Sequence, residues 1–486
     1  MTTILKHTAM LVAICCLAWL GITWHWRSAG HAPSGDELLR YLVLLPLVAF
    51  GLVLLLRLAW RSAVARQAAG GAVAAASAGA ASGSAAAASP PAAQDAPPLQ
   101  LLAAHLCCAA GSDPSDLVGA AKANQPLPAL DAHLTNADGL PVMSHRIADL
   151  PLAELNESLP TLPEDEPVAL HVQRALAALQ APLAGALLAL SPWRERFADP
   201  DADLEIAGQG LPTPPSATLR WPRLQVLMSW PAAWSDAERA LAERWTREQC
   251  AAGPIEPSQL RFHGSVLSGA ELWLDVERRL QRPDPQAADA PSAPLLLLAT
   301  HSDLSDDAVA ALEHQRRLFD AGAHPRGLMP AESACALLLA PHDWPADPQA
   351  DDPPLRLHRA AALRRDKSVE AAGGVSSQTA IDVLAGALAH AKLPASELGG
   401  LVCDADRHSQ RGTELFGATL KLLPQLDPAE HLAMTGSVAG HGGAAPLMLI
   451  AAAAALAKAE RRPCAALSLG DTHWRFALLA CAPAAS

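Results

Sequence analysis

Two apolar stretches near the amino terminus constrain this chain more than any other feature. Residues 8–26 read TAMLVAICCLAWLGITWHW, without a charged side chain. Residues 41–60 read YLVLLPLVAFGLVLLLRLAW, with only Arg57 near the end. Each supplies about the 20 residues that a helix needs to cross a hydrocarbon core about 30 Å thick. Trp24, Trp26, Tyr41 and Trp60 stand at the ends, where amphipathic rings favour the interface, and Arg57 can snorkel. A cleaved signal peptide would end in small residues, whereas the first stretch ends in Trp-His-Trp and a second stretch follows. The connector balances Arg27 and Arg40 against Asp36 and Glu37. Beyond the second stretch, Arg57, Arg61 and Arg66 have no acid near them. The positive-inside rule then places both ends in the cytoplasm. The expected plan is a transmembrane hairpin over 1–67, a flexible Ala/Gly/Ser/Pro linker over 68–98, and a large cytoplasmic body.

The composition of 51% hydrophobic residues excludes a disordered chain. With 36 basic against 49 acidic side chains and a net charge of −13, nothing offsets repulsion from a phosphate backbone, so no nucleic-acid partner is expected. The nine cysteines are odd in number and form no CxxC pair, which predicts neither a zinc site nor a disulfide framework and fits a reducing compartment. There is no Walker A loop, Gly208-Gln-Gly210 is too short for a dinucleotide fingerprint, and no cofactor or metal is expected. Apolar runs at 224–230, 294–300, 334–339, 401–403, 465–469 and 476–480 predict strands buried on both faces. Helical patterns fall at 167–190, 236–250 with Ser235 as N-cap, 268–281, 377–391 and 444–459. The acidic run Glu164-Asp-Glu166 predicts a solvated helix entry.

Three passages occur in an order found in a known family. Arg317-Leu-Phe-Asp-Ala321 precedes Pro330-Ala-Glu-Ser-Ala-Cys-Ala-Leu-Leu-Leu339. Gly440-His-Gly-Gly-Ala-Ala445 opens an alanine-rich helix, and Leu467-Ser-Leu-Gly-Asp471 precedes a last apolar strand. Together they resemble the β-ketoacyl synthases. That resemblance implies an α/β, thiolase-like five-layer α/β/α/β/α duplicated fold, with halves over 99–350 and 351–486. It also implies that a homodimer, if formed, pairs through the strand near 294–300.

In that family a cysteine at a helix start is the nucleophile and two histidines stabilise charge. The equivalent helix here begins His263-Gly-Ser-Val-Leu-Ser-Gly-Ala-Glu271, and the nucleophile position falls on Val266, expected to be buried. No cysteine lies between 251 and 334. The family lysine falls on Gly436, the first histidine is displaced to His408, and His441 stays in register. Valine has no nucleophilic chemistry, so Claisen condensation is not expected. Two readings remain. One is a non-catalytic scaffold in which Ser268 is an N-cap, while His441, Glu332 and Glu414 satisfy buried groups. The other is an acyltransferase or thioesterase with Ser268 as nucleophile and His441 or His263 as base. Asp404, Asp406 and His408 on one turn lack a distant fourth ligand for a metal. The layout of two anchoring helices, a tether and a degenerate body resembles the membrane-anchored adaptors found beside type VI secretion lipase effectors. That likeness implies a bacterial inner-membrane location and a secretion component or effector as protein partner.

Overall fold

The run Leu295-Leu-Leu-Leu298 has no polar face, so it can lie only inside a sheet covered on both sides. It opens β6 (Leu295–Ser302), which pairs antiparallel with the equally apolar β7 (Glu332–Ala340), Leu295 opposite Leu339 and Leu298 opposite Ala336. The computed structural model describes residues 97–482 apart from 126, 160–167, 194–222, 256, 282–292, 346–352 and 371–374. The described residues belong to one compact unit. The two apolar stretches, the linker to residue 96, the acidic run at 164–166 and Gly208–Gly210 lie outside the described residues.

Before β6 the chain forms β1 (Leu99–Cys108), α1 (Pro114–Ala123), a hairpin of β2 (Ala129–Thr135) and β3 (Pro141–Ser144), α2 (Leu152–Ser158) and α3 (Leu170–Leu188). It continues through β4 (Leu224–Ser229), α4 (Asp236–Ala251), β5 (Leu260–Ser265) and α5 (Gly269–Gln281). A short α6 (Asp306–His314) separates β6 from β7. Then come β8 (Leu355–Leu357), β9 (Ala361–Arg364), α7 (Gln378–Ala391), β10 (Gly400–Cys403) and α8 (Ser409–Leu422). The last elements are β11 (Leu432–Met434), α9 (Ala445–Glu460), β12 (Cys464–Ser468) and β13 (Trp474–Cys481).

Strand order exposes a repeat. The first sheet runs β5-β4-β6-β7-β1 and the second β11-β10-β12-β13-β9. Each has its last long strand antiparallel to both neighbours. β8 pairs with both β1 and β13 and so joins the two sheets. Alternation along the strands sets the layers, because successive side chains face opposite ways. Leu295, Leu297 and Ala299 face a central core with α1, α5, α9 and the second sheet, including Val402, Ala466 and Leu478. Leu296 and Leu298 face an outer core built by α2, α3 and α4. Leu401, Leu467 and Leu479 face the other outer core, under α7 and α8. The result is five layers, α/β/α/β/α. The helix α9 can occupy the middle because its alanines bury on nearly every side.

Local signals account for several helices. Ser235 accepts from Glu238 N while the Glu238 side chain accepts from Ser235 N, a reciprocal capping box that starts α4. Among the described residues one helical stretch, Leu170–Trp193, is long and apolar enough to cross a membrane; its Val172, Leu176, Leu179 and Leu183 instead line the outer core of the first sheet. The structure corrects the dimer expectation. β6 lies between β4 and β7 with both edges paired, so it offers no edge to a second copy; the outer strand of that sheet is β5.

Candidate functional site

The parallel strands β4, β5 and β6 end on loops of the first half, and β10, β11 and β12 end on loops of the second. The carboxyl ends of parallel strands are where α/β sheets place ligands. Here the end of β6 brings His301 and Asp303 to the loop that carries His441. Asp303 Oδ2 lies 2.9 Å from His301 Nε2 and 3.4 Å from His441 Nε2. The two rings are tilted by 57° with centroids 6.0 Å apart. Burial pulls both acidic and basic members toward neutrality, but the pairing outweighs it. Asp303 is held far below the usual carboxylate range by the two imidazoles, and His301 is raised by the Asp303 carboxylate.

Glycine makes this approach feasible. Gly440 has φ +74°, and a Cβ there would stand 2.5 Å from Ala331 Cβ and 3.0 Å from His145 Cδ2. Gly442 has φ +144°, and its Cβ would fall 2.3 Å from His301 Cδ2. Both positions therefore require glycine by backbone and by space. The Gly-His-Gly passage lays His441 across the end of β6 for this reason.

A cleft of about 30 Å³ lies beside His441, lined also by His145, Phe319, Met329, His408 and Ser437. It has room for a water or two. His145 reaches it from the segment after β3, held by its backbone N–H on Pro330 O at 2.9 Å and by its ring Nδ1, which lies 3.2 Å from Val438 O. A carbonyl only accepts, so Nδ1 carries the proton. Burial, reinforced by His441 and Arg407, lowers the His145 pKa to about 4. A depressed histidine pKa makes the folded state refuse a proton that the unfolded chain accepts. Stability is thus retained above about pH 6.5 and lost as pH falls toward 4, by about 3 kcal/mol for this group. Denaturant titrations should show this fall in the wild-type chain and a shallower one in His145→Gln. Parallel curves would remove His145 as the cause.

The other sequence candidates separate. Val266 is 51% exposed and precedes α5 by three positions, so the expected burial at a helix start is wrong; the chain leaves edge strand β5 there. Ser268 is exposed, and its carbonyl accepts from Leu272 N at 3.4 Å, as an N-cap carbonyl does. None of the described hydrogen bonds comes from its hydroxyl, so it is neither a side-chain cap nor a partner of His441 or His263. His263 sits on β5, its pKa lowered by burial.

Asp404 is fully committed inside the protein. It accepts from Ser468 Oγ at 2.6 Å, Leu469 N at 2.5 Å and Gly470 N at 2.9 Å, although burial still pushes its carboxyl upward. Asp406 binds Arg411 at 2.5 Å, and His408 Nδ1 accepts from Gln410 N at the start of α8. These three residues turn to different partners rather than to one point. Glu332 forms a two-pronged buried pair with Arg174 at 2.5 and 2.7 Å and also accepts from Ile147 N. Glu414 pairs likewise with Arg475, at 3.0 Å on both oxygens. A larger cleft of about 640 Å³ opens beside β2 and the starts of α3 and α6, but its Arg146 and Arg174 are taken by Asp131 and Glu332.

His301, Asp303 and His145 were not anticipated. The one sequence signal for the first two is the polar Thr-His-Ser-Asp tail that closes an otherwise apolar strand.

No protein-family model and no curated protein matches this sequence. Solved structures do. The structure of a type II PKS acyl-carrier protein in complex with its ketosynthase bound to the hexaketide matches with a TM-score of 0.50 and 10% identity, over 80% of this chain and 100% of that one. The ketosynthase from module 6 of the bacillaene synthase from Bacillus subtilis 168 gives 0.50 and 10%, over 80% and 72%. The body has the thiolase-like ketosynthase fold. A β-ketoacyl synthase from Burkholderia phymatum STM815 is similar at 12% identity and a TM-score of 0.48, over 80% of this chain and 100% of that one. Against that fold the position after β5 carries Val266, and none of the seven described cysteines is placed there. All seven are unpaired, and burial raises each thiol: Cys107 and Cys481 to about 11, Cys108, Cys250 and Cys464 to about 12, and Cys335 and Cys403 further. None is a thiolate at neutral pH.

Proposed function

We propose that this is a membrane-tethered, non-catalytic protein built on the ketosynthase fold, acting as an accessory or adaptor at the cytoplasmic face of a bacterial inner membrane and serving type VI secretion. The observation that carries the non-catalytic reading is the half-exposed Val266 at the nucleophile position, with no activated thiol among the described residues to replace it. The size of the cleft supports it. About 30 Å³ beside His441 is far below the roughly 300–1,000 Å³ of small-molecule sites. The two apolar stretches support the tether, and the layout of anchor, linker and body supports the adaptor role. A ketosynthase of similar fold is held in complex with an acyl-carrier protein, which supports a protein as the partner here.

The test uses the full chain produced in a bacterium and recovered by fractionation. It should be found with the membranes, and incubation with acyl-thioesters should leave its intact mass unchanged. Recovery in the soluble fraction would overturn the tether. An acyl adduct that disappears in Ser268→Ala would overturn the non-catalytic reading in favour of an acyltransferase or thioesterase.

A further inference from the structure

We infer that His301, Asp303 and His441 form a binding site for one divalent transition-metal ion of the Zn²⁺ class. Their donor atoms, His301 Nε2, an Asp303 carboxylate oxygen and His441 Nε2, lie within 4.8 Å of one another. Four-coordinate zinc, with bonds of about 2.0–2.2 Å, holds its ligand atoms roughly 3.3 Å apart. The 2.9 and 3.4 Å separations around Asp303 Oδ2 bracket that value. Two imidazoles and one carboxylate suit zinc and its borderline neighbours rather than calcium or magnesium, which take oxygen.

A second observation separates this arrangement from an ordinary histidine–carboxylate pair. His301 Nε2 is sealed from solvent and makes no hydrogen bond, although Asp303 Oδ2 is only 2.9 Å away. A buried polar atom left this way is costly, and an ion between the three residues would satisfy it. The cradle is built for this ring, since a side chain at Gly442 would strike His301. His441 also lines the small cleft, whose volume admits a water as a fourth ligand. Two donors come from the end of β6 and the third from the loop before α9. Bound metal therefore ties the first half of the fold to the second.

The test is a titration of the chelator-stripped full chain in detergent with Zn²⁺ alone, repeated with Co²⁺ as a spectroscopic probe. One equivalent should bind, raise the melting temperature and give the Co²⁺ spectrum of a nitrogen–oxygen site. His301→Ala, Asp303→Asn and His441→Gln should each weaken binding tenfold or more and abolish the thermal shift. His342→Ala, at an exposed histidine, should leave both unchanged. His441 is partly exposed, so His441→Gln remains informative if a variant in β6 fails to fold. Absence of stoichiometric binding, or binding that His441→Gln leaves intact, would overturn the site.

Discussion

Replacing Glu332 by alanine should destabilise the body by about 3–5 kcal/mol, the usual cost of leaving one member of a buried ion pair alone. Arg174, on α3, is 7% exposed and spends two of its donors on Glu332, which is fully buried at the start of β7. Without the carboxylate, the guanidinium has no counter-charge, the Ile147 amide loses its acceptor, and the outer helix loses its attachment to the sheet. The loss is electrostatic, not packing in origin. Arg174→Met combined with Glu332→Leu should therefore recover most of it, since apolar replacement of a whole buried pair is often neutral or better. Chemical denaturation of the three proteins would settle the point. A loss below about 1 kcal/mol in Glu332→Ala would refute the pair's structural role. The second half uses the same device with charges reversed: Glu414 lies on helix α8 and Arg475 on strand β13, both completely buried.

Asp404→Ala should cost a comparable amount, about 3 kcal/mol or more, because three donors lose one acceptor at once. Ser468 Oγ and the amides of Leu469 and Gly470 all converge on this carboxylate, and together they fix the turn between β12 and β13. Asp404→Asn keeps an acceptor for the two amides and should cost much less. The contrast can be read from thermal melts of the two variants. Equal losses would mean that the side chain fills space and does not organise the turn. The result also bears on function, because amides already engaged by Asp404 are not free to stabilise charge on a substrate.

Wherever the interactions are local or the burial is two-sided, sequence and structure agree. The Ser235–Glu238 capping box is complete within four residues, so the start of α4 was legible. The runs that became β6 and β7 admit no exposed face, so their strand character and burial were legible too. The ordered passages around Arg317, Gly440 and Leu467 were enough to expect the ketosynthase-like, duplicated fold. Short strands such as β8 and β9 escaped, because three or four residues of ordinary pattern become strand only by pairing with β1 and β13. The amphipathic, partly exposed β5 escaped for the same reason, and its edge position could not be told from β6 without knowing which strands flank it.

The site divides along the same line. The Gly440–Ala445 passage, through its resemblance to the family's histidine motif, marked His441 in the sequence. What it approaches was decided by the fold. His301 and Asp303 lie about 140 residues earlier, at the end of a strand in the other sheet, and His145 lies earlier still. No spacing rule connects them, because their distances depend on the stacking of two sheets around α9. Asp404, Asp406 and His408 show the converse. They stand together on one turn of the sequence, and the structure turns each toward a different neighbour. Proximity along a chain limits which side chains can meet, and only packing determines where each polar atom finds its partner.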